Sequence, residues 1–463
     1  MPNIYESWGF SENPFTTRPL QADNVGERLL VGRDADAAAV LRRLETPPKA
    51  TTLEGPNGVG KTSLVNVVVH RAYQAFVSGD RSDILIPTAK TFQLDANSEA
   101  DVFVQDVLFE VAQTLLRHTE MLKSKLPAST TGLARWLNSP QLASWQGGLQ
   151  VLVGGASVGR TSETNTSAGF ARSGFRQRVE EWLSHAFPNG RGGGVVCILD
   201  NLELAETSAR AKQLLENLRD PILTMSGLRW VLCGSSGIVR SVISSPRLEG
   251  ILHAAIDVGA IDDRYAPDVL SSRVTAFAEQ PDAYIPILSE DFEEMYQCLR
   301  GNMRNTLSKA DDFCMWVAER GNAPTDSAQK RALFHCWFDE ECTRAASAAG
   351  KSLGNRAWKT FGKAVKKGGS FSPSDFEEFG FENMQALRPS VRDLEQVDLL
   401  VSTQDDTDKR RKTIQVTPKG WMVARARSGA LLRDRTAGAV ARQGKQQPFG
   451  ADVGEMVVPR ARR

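Results

Sequence analysis

The chain has 463 residues, of which 41% are hydrophobic, and its formal net charge is +1. A chain of this length and composition can build two or three domains with proper cores, which excludes a mainly disordered protein. No apolar run approaches the roughly 18 residues that a membrane helix needs, and the N-terminus has neither a basic start nor an apolar signal core. We therefore expect a multidomain globular protein of the cytoplasm.

The small net charge conceals an uneven distribution along the chain. From residue 326 to the end, 25 Lys and Arg accompany 17 Asp and Glu, a balance of +8, whereas the preceding residues hold 31 and 38, a balance of −7. A local basic excess of this size fits a nucleic-acid-binding surface, and a solvated basic surface is the alternative.

The most specific motif lies between a predicted strand and a predicted helix. The β-prone run TTLE (51–54) precedes GPNGVGKTS, and the apolar segment LVNVVVHRAYQAFV follows as a buried helix. The loop satisfies GxxxxGK[ST], whose backbone amides cradle phosphates while the Lys61 ammonium reaches the β- and γ-phosphates and the Thr62 hydroxyl binds Mg²⁺. The predicted nucleotide-binding residues are Gly55, Pro56, Asn57, Gly58, Val59, Gly60, Lys61, Thr62 and Ser63.

Strands and helices continue to alternate after this loop. TFQLD (91–95), VVCIL (195–199) and RWVLCGSS (229–236) read as strands, and the apolar positions between them recur at helical spacing. This order predicts an α/β fold with a parallel sheet covered on both faces, over residues 1–265.

A second glycine-rich stretch, GGASVGRTS (154–162), matches the same motif with Arg160 in place of lysine. The polar residues after it cannot form the apolar helix that a phosphate site requires, so we reject it. The distance from Lys61 to Asp200 exceeds one βαβ unit, which predicts an insertion over about 120–175. This insertion is either a passive surface loop or a contact for a partner or DNA.

Asp200 ends the apolar strand GVVCIL and is the best candidate for the second metal ligand. A carboxylate at the carboxyl edge of the sheet lies beside the phosphate loop and can hold Mg²⁺ through water. The alternative is an aspartate that only caps the following turn.

The second half of the chain changes character. Residues 266–322 read as amphipathic helices and predict a small helical lid, and GNAPTDS (321–327) is a linker. Three short helices and a two-stranded hairpin then predict a winged helix over 323–435, and residues 436–463 form a basic tail without periodicity that we expect to be disordered.

The predicted recognition helix, ENMQALRPSVRDLEQ (382–396), carries Gln385 and would be broken at Pro389 unless it began there. Three aspartates at the wing, Asp405, Asp406 and Asp408, would repel DNA, and winged helices also dock proteins, so both partners stay open. The predicted DNA-contacting residues are Lys363, Lys366, Lys367, Arg388, Arg392, Arg410 and Arg411.

The six cysteines show no CxxC pair, which favours buried reduced thiols over disulfides or zinc. His335, Cys336 and Cys342 lie close in sequence, but no second cysteine pair at zinc spacing accompanies them. We therefore predict no metal site there.

Taken in order, these segments resemble the AAA+ P-loop ATPases of the origin-recognition initiator and STAND-like group, over roughly residues 10–425. GPNGVGKTS resembles Walker A and VVCILDNLE resembles Walker B. The resemblance implies that Gly32 and Arg33 line the base pocket, that Ser235 or Ser236 is sensor 1, and that Arg304 in CLRGNMRNTL is sensor 2. Arg247 is either an arginine finger toward a neighbouring subunit or a plain surface residue.

The chain departs from this group at the catalytic base. Active members usually have a glutamate after the Walker B aspartate, whereas Asn201 stands here and cannot accept a proton at neutral pH. Glu203 could take the role if the strand end bends, or it could face solvent.

The sequence thus predicts a cytoplasmic ATPase that uses ATP and Mg²⁺, with slow hydrolysis or an ATP-held switch, and that controls a DNA-binding winged helix. Nucleotide-dependent self-association is compatible with this, as are replication, transposition and anti-phage defence. The alternative is a STAND-like signalling scaffold whose winged helix and insertion bind partner proteins.

Overall fold

A computed structural model describes residues 3–95, 97–122, 174–205, 208–235, 237–321, 323–404 and 412–428. Several predicted features lie outside the described residues: nearly all of the insertion over 120–175, the rejected motif with Arg160, Ser236, the wing with Arg410 and Arg411, and the tail over 436–463.

The N-terminal half contains a parallel sheet. Its strands are β1 (Thr51–Glu54), β2 (Ile84–Pro87), β3 (Phe92–Gln93), β4 (Gly193–Asp200), β5 (Leu228–Gly234) and β6 (Ile256–Asp257). Their order is β2-β4-β5-β1-β6, and β3 pairs with the carboxyl-terminal end of β4. The predicted α/β fold class with a parallel sheet is confirmed.

Helices cover both faces of this sheet, which is required because every residue of β4 and β5 is buried. The helices of this half are α1 (Ile4–Ser7), α2 (Asn24–Leu29), α3 (Asp34–Leu44), α4 (Lys61–Val77), α5 (Ala100–Arg117), α6 (Phe175–Ala186), α7 (Ser208–Leu218) and α8 (Ile238–Ile243). One face of the sheet packs against α5, α6, α7 and α8, and the other packs against α3 and α4.

Two details of the sheet differ from the sequence expectation. The predicted strand 91–95 is paired only over Phe92–Gln93, and β2 was not predicted. β2 is a four-residue run, ILIP, that ends in proline, and such a short apolar run gives no periodicity to read.

The lid comprises α9 (Ala266–Phe277), α10 (Ser289–Cys298) and α11 (Met303–Glu319). Its core also takes in Tyr5, Phe10 and Phe15 from the start of the chain, and Phe10 forms an antiparallel bridge with Ala278. The first residues of the chain therefore pack against the lid and not against the sheet.

The C-terminal unit has the order helix, strand, helix, strand, strand after a long first helix. Its elements are α12 (Ser327–Gly350), α13 (Asn355–Lys366), β7 (Ser370–Phe371), α14 (Met384–Gln396), β8 (Leu400–Gln404), β9 (Lys412–Val416) and α15 (418–428). The strands form an antiparallel sheet in the order β7-β9-β8. The middle one of the three predicted short helices, in SPSDFEEFG (372–380), is only a single 3₁₀ turn, Pro373–Asp375.

The boundary between lid and C-terminal unit runs through α12. Phe334, Trp337 and Phe338 are buried in the lid core, whereas Ala349 at the far end of α12 and Leu353 just after it belong to the C-terminal core. The helix has apolar residues for two different neighbours, so the cores meet along it.

The expected break of α14 at Pro389 is wrong, because the helix runs through that residue. Proline removes one backbone donor, which leaves the carbonyl of Gln385 without its helical partner. Gln385 and Pro389 are both exposed, so water can satisfy that carbonyl.

Within the described ranges, no helix combines the length and apolar character needed to cross a bilayer.

Candidate nucleotide-binding site

The phosphate loop connects β1 directly to the N-terminus of α4. Gly58 and Gly60 have φ of +85° and +95°, a backbone conformation that favours glycine and turns the chain around the helix end. The Lys61 ammonium donates hydrogen bonds to the carbonyls of Gly55 at 2.9 Å and Pro56 at 3.1 Å. The loop thus has the strand, turn and helix context that its motif requires.

Thr62 and Asp200 meet although 138 residues separate them in sequence. The Thr62 hydroxyl donates to the Asp200 Oδ2 atom at 2.5 Å, and Asp200 is 8% exposed. β4 lies next to β5, which pairs with β1, so the carboxyl end of β4 faces the phosphate loop. The two predicted Mg²⁺ ligands therefore share one position at the sheet edge.

Asn201 has a conformational role at the end of β4. Its φ of +56° lies in the left-handed region, which asparagine tolerates better than most other residues. This turn ends the strand and starts the 3₁₀ helix Leu202–Ala205. The prediction that Glu203 acts as the base required a bend at the end of the strand, and the chain bends there.

Glu203 returns to the sheet edge through this turn. Its Oε2 atom accepts a hydrogen bond from the Ser235 backbone amide at 3.1 Å, and its side chain is only partly buried. Of the two alternatives for Glu203, this contact favours the orientation toward the site over the orientation into solvent. Its role as a base stays a prediction.

The same acidic groups affect the pKa of Lys61. Burial lowers the pKa of the Lys61 ammonium, the charges of Glu203 and Asp200 raise that pKa, and Arg304 lowers it again. Glu203, Asp200 and Arg304 therefore lie within electrostatic range of the lysine.

Glu54 is a site residue that the sequence reasoning missed. It ends β1 immediately before the phosphate loop, is 2% exposed, and accepts a hydrogen bond from the Gly237 amide at 2.6 Å. The Arg240 Nε atom lies 3.3 Å from its other carboxylate oxygen. Glu54 thus links the strand before the phosphate loop to the loop that follows β5. An acidic residue inside a β-prone run was the available signal.

The lid reaches the phosphate loop through the N-terminus of α11. The Arg304 backbone amide donates to the Gly58 carbonyl at 3.2 Å, and the Asn302 side-chain amide donates to the Asn57 carbonyl at 3.0 Å. A Cβ atom at Gly58 would lie 2.6 Å from the Asn302 Oδ1 atom, so only glycine permits this contact. Arg304, the predicted sensor 2, lines the pocket together with the phosphate loop.

Arg33 is buried beside the phosphate loop but is committed to structural contacts. Its guanidinium donates to the carbonyls of Val59 at 2.8 Å and Gly259 at 2.7 Å, and to Asp36 at 2.9 Å. Arg33 lines the pocket and holds the phosphate loop through its contact with the Val59 carbonyl.

Gly32 lies against the ring of Tyr265, which a Cβ atom would approach to 2.7 Å. Its φ of +69° also favours glycine, so this residue permits the turn that carries Arg33.

The segment Thr17–Leu20 forms another wall of the pocket. The Leu20 amide donates to the Ser63 hydroxyl at 3.0 Å, and the Asn66 side chain donates to the Leu20 carbonyl at 2.8 Å. From the lid side, the Arg273 guanidinium donates to the carbonyls of Pro14 at 2.8 Å and Thr16 at 3.2 Å. The segment is therefore fixed to the sheet domain and to the lid at once.

Arg273 was also missed, although a single arginine on the apolar face of a helix was visible in the sequence. It is 5% exposed, and burial lowers its pKa to about 10. Tyr296 lines the same pocket from α10 and donates its hydroxyl to the Ile261 carbonyl at 3.0 Å. Besides Leu20 and Val59, the aliphatic residues and methionine of the pocket are Leu29, Leu30, Val31, Ile261, Val269, Met303 and Leu307.

The remaining predicted site residues near the sheet are placed as follows. Ser235 lies at the end of β5 and receives the Glu203 contact, whereas Ser236 is outside the described residues. Arg247 is exposed in the turns after α8 and lies away from the lining of the pocket.

The predicted DNA-contacting lysines are exposed on α13 and just after it, but two of them are engaged within the chain. The Lys367 ammonium pairs with Asp375 at 2.7 Å and Glu378 at 2.6 Å, and Lys363 donates to the Glu378 carbonyl at 3.0 Å. The Asp375 and Glu378 carboxylates raise the pKa of Lys367. Of these three lysines, Lys366 is the one that makes no such contact among the described residues.

Arg388 and Arg392 are exposed one helical turn apart on α14, and Gln385 precedes them on the same face. The opposite face of α14 is buried in the C-terminal core through Leu387, Val391 and Leu394. The structure thus presents the two arginines on one polar surface.

No protein-family model matches the chain, and no curated protein matches it. The ORC1 protein of Aeropyrum pernix, solved in complex with DNA, is 13% identical with a TM-score of 0.42, and the match covers 93% of this chain and 99% of that chain. The ORC2 protein of Aeropyrum pernix, in ADPNP-ADP complexes, is 11% identical with a TM-score of 0.45 and coverages of 92% and 100%. Cdc6p of Pyrobaculum aerophilum is 13% identical with a TM-score of 0.39 and coverages of 92% and 99%.

These neighbours are named as ORC and Cdc6 proteins, which is the kind of protein that the motifs resemble. At such low identities and TM-scores they carry no argument about activity, ligand or partner. The function has to be inferred from the geometry of the site.

Proposed function

We propose that the chain binds ATP with Mg²⁺ in the cleft between the sheet and the lid and hydrolyses it slowly. The hydrogen bond between Thr62 and Asp200 carries this proposal. A hydroxyl at the start of the helix and a carboxylate at the end of another strand of the same sheet are the two protein groups that hold Mg²⁺ in P-loop ATPases.

The residues of the phosphate loop fit such a ligand. The turn at Gly58 and Gly60 brings backbone amides together at the positive end of α4, which suits an anionic phosphate chain. Bound Mg²⁺ would neutralise charge between the phosphates. Lys61 would leave the carbonyls of Gly55 and Pro56 to bind phosphate, and the apolar side of the cleft would receive the base.

Glu203 is the residue that we assign to the attacking water. Its contact with the Ser235 amide holds the carboxylate at the sheet edge, beside Asp200 and Lys61. A carboxylate held there can orient a water molecule and accept its proton, which Asn201 cannot do. One oxygen of Glu203 is occupied by the Ser235 amide, which favours slow turnover over a fast motor.

The lid would couple the nucleotide to the C-terminal unit. Arg304 and Asn302 contact the phosphate loop through α11, and the Arg300 guanidinium lies 4.0 Å from the centre of the Trp421 ring on α15. A change at the phosphate loop can therefore reach the C-terminal unit through the short segment 300–304.

The C-terminal unit would act as a winged helix that binds duplex DNA through α14. The order α13, β7, α14, β8, β9 and the exposed pair Arg388 and Arg392 support this proposal. A helix that buries one face and presents arginines on the other can enter a major groove. A protein dock is the second candidate, favoured by the carboxylates that already neutralise Lys367.

The first test measures binding and turnover of ATP by the purified full-length chain, with and without duplex DNA, in a salt series. We expect Mg²⁺-dependent ATP binding and turnover below about 1 s⁻¹, the low end of typical enzymes. Duplex binding should weaken steeply with salt because released counterions drive phosphate contacts. ATP binding that does not depend on Mg²⁺ would contradict the nucleotide proposal, and salt-independent duplex binding would favour the protein dock.

A further inference from the structure

A cluster of potential metal ligands lies between the lid and the C-terminal unit, away from the nucleotide cleft. Asp291 and Glu294 stand three residues apart on one face of α10, and His335 approaches them from α12. One ligand atom from each of the three residues lies within 4.8 Å of the other two.

Asp291 is the unusual member of this cluster. Its side chain is 0% exposed, and neither carboxylate oxygen has a hydrogen-bond partner among the described residues. The nearest cationic atom, Arg331 Nε, lies 3.8 Å from Oδ1, which is too long for a hydrogen bond, and that arginine is half exposed. A buried carboxylate in this state requires a proton or a cation, because burial without a partner strongly disfavours its charged form.

The other charges around the cluster leave one side of it open. The Arg425 guanidinium binds the Glu294 Oε1 atom at 2.7 Å and lies 3.5 Å from Asp339. The second oxygen of Glu294, Oε2, lies 3.8 Å from the Nδ1 atom of His335. Arg425 therefore occupies one oxygen of Glu294 and leaves the other directed toward the histidine.

We propose that Asp291, Glu294 and His335 bind a divalent transition-metal ion of the Zn²⁺ type. An imidazole with two carboxylates is a ligand set that Zn²⁺ accepts, whereas Mg²⁺ and Ca²⁺ prefer oxygen ligands throughout. Zinc bonds of about 2.0–2.2 Å in a tetrahedron place two ligand atoms about 3.3–3.6 Å apart. The separation of 3.8 Å between Glu294 and His335 needs only a small side-chain adjustment to reach this range.

Such an ion would join two parts of the molecule. α10 belongs to the lid that contacts the phosphate loop, and α12 leads into the C-terminal unit. The ion would hold α12 against the lid, in addition to the Arg300–Trp421 contact. The His335 side chain is 38% exposed, which gives the ion an entry path.

The test is a Zn²⁺ titration of the chelator-treated full-length chain in competition with a chromophoric chelator, with excess Mg²⁺ present. The excess Mg²⁺ keeps the Thr62–Asp200 pair from contributing to the signal. We expect one equivalent of tightly bound Zn²⁺ and a rise in the melting temperature of the chain when Zn²⁺ is added. His335→Gln and Glu294→Gln should each weaken binding at least about tenfold and abolish the rise.

Two further variants separate this site from other zinc-binding groups. His185→Gln changes an exposed histidine that also lies near a glutamate of its own helix, and it should bind Zn²⁺ as the unmodified chain does. Cys336→Ser removes the exposed thiol next to His335 and should also retain binding. Loss of binding in Cys336→Ser but not in Glu294→Gln would overturn the assignment.

Asp291→Asn tests most directly whether the buried carboxylate binds the ion or carries a proton. If the ion binds there, this variant loses Zn²⁺ affinity and the zinc-dependent rise in melting temperature. If Asp291 is instead held neutral by a proton, the variant melts at or above the temperature of the unmodified chain and binds Zn²⁺ equally well, which refutes the proposal. Circular dichroism of each variant without zinc separates loss of the ligand from loss of the fold.

Discussion

The phosphate loop and the basic surface of the C-terminal unit were both predicted from residue types, but the structure treats them differently. In the phosphate loop, Lys61 and Thr62 lie where their motif requires, in contact with backbone carbonyls and with Asp200. On the C-terminal surface, Lys367 is neutralised by two carboxylates while Arg388 and Arg392 remain exposed. The same kind of charged side chain thus contacts the backbone of its own motif in one context and forms ion pairs within the fold in the other.

The difference lies in what fixes each feature. A phosphate loop is specified locally, because glycines at set positions determine the backbone that receives the phosphates. A binding surface depends on the sum of charges brought together by the fold, and residues 8 and 11 positions away cancel the charge of Lys367. Local motifs therefore predict the structure of a site better than counts of charged residues do.

Lys61→Ala, which tests the phosphate loop, should have the largest effect of the substitutions. We expect ATP binding and turnover to fall by at least about 100-fold, because the ammonium is the only lysine of the loop and sits in a low-dielectric cleft. A fluorescent ATP analogue measures the binding, and phosphate release measures the turnover. Lys49→Ala, a nearby lysine outside the loop, is the matched control; normal ATP binding by Lys61→Ala would remove the basis of the nucleotide proposal.

Glu203→Gln should separate binding from chemistry. Because glutamine keeps the shape of the side chain and its oxygen can still accept from Ser235, ATP binding should persist while turnover falls by about 10²-fold or more. Single-turnover hydrolysis checks this. Unchanged turnover would mean that Glu203 only anchors the Ser235 loop, and the chain would then be an ATP-held switch.

Arg388→Ala and Lys367→Ala compare an exposed with a neutralised charge on the same unit. Removing Arg388 should weaken duplex binding several-fold and reduce the salt slope by about one contact, whereas removing Lys367 should leave both nearly unchanged. Fluorescence anisotropy with a labelled duplex at several salt concentrations measures both quantities. Equal losses in the two variants would show that the ion pairs of Lys367 open on binding.

Asn201→Gly should have the smallest effect and tests why an asparagine follows Asp200. Glycine adopts the positive φ of this position freely, so turnover and stability should stay close to those of the unmodified chain. Asn201→Val should cost about 1–3 kcal/mol of unfolding free energy, because a β-branched residue is strained there. Urea denaturation gives the stability, and a large loss of turnover in Asn201→Gly at normal stability would assign the amide itself a chemical role.

Much of the fold could be predicted from the periodicity of apolar residues and from the residues that end helices and strands. The helical face from Val104 to Leu115 and the strands around Asp200 and Ser235 were found because they are long and regular. β2 and β7 were missed because short strands carry little pattern, and α12 was missed because it serves two cores and lacks a single apolar stripe.

The site itself divides in the same way. The phosphate loop and Asp200 followed from the motif and its context, and the resemblance to AAA+ ATPases implied a glutamate near Asp200. Glu54, Arg273 and Tyr296 did not, because each acts through contacts with residues far away in the chain. Sequence spacing contains no information on those contacts.

The sequence by itself determined the phosphate loop, the strand that ends in Asp200 and the basic character of the C-terminal third, because each depends only on residue types and their order along the chain. The tertiary structure decided which charges stay free, which way Glu203 turns after Asn201, and that Asp291, Glu294 and His335 come together. The reason is physical: hydrogen bonds within a turn are set by neighbours in the chain, whereas burial and charge pairing are set by neighbours in space.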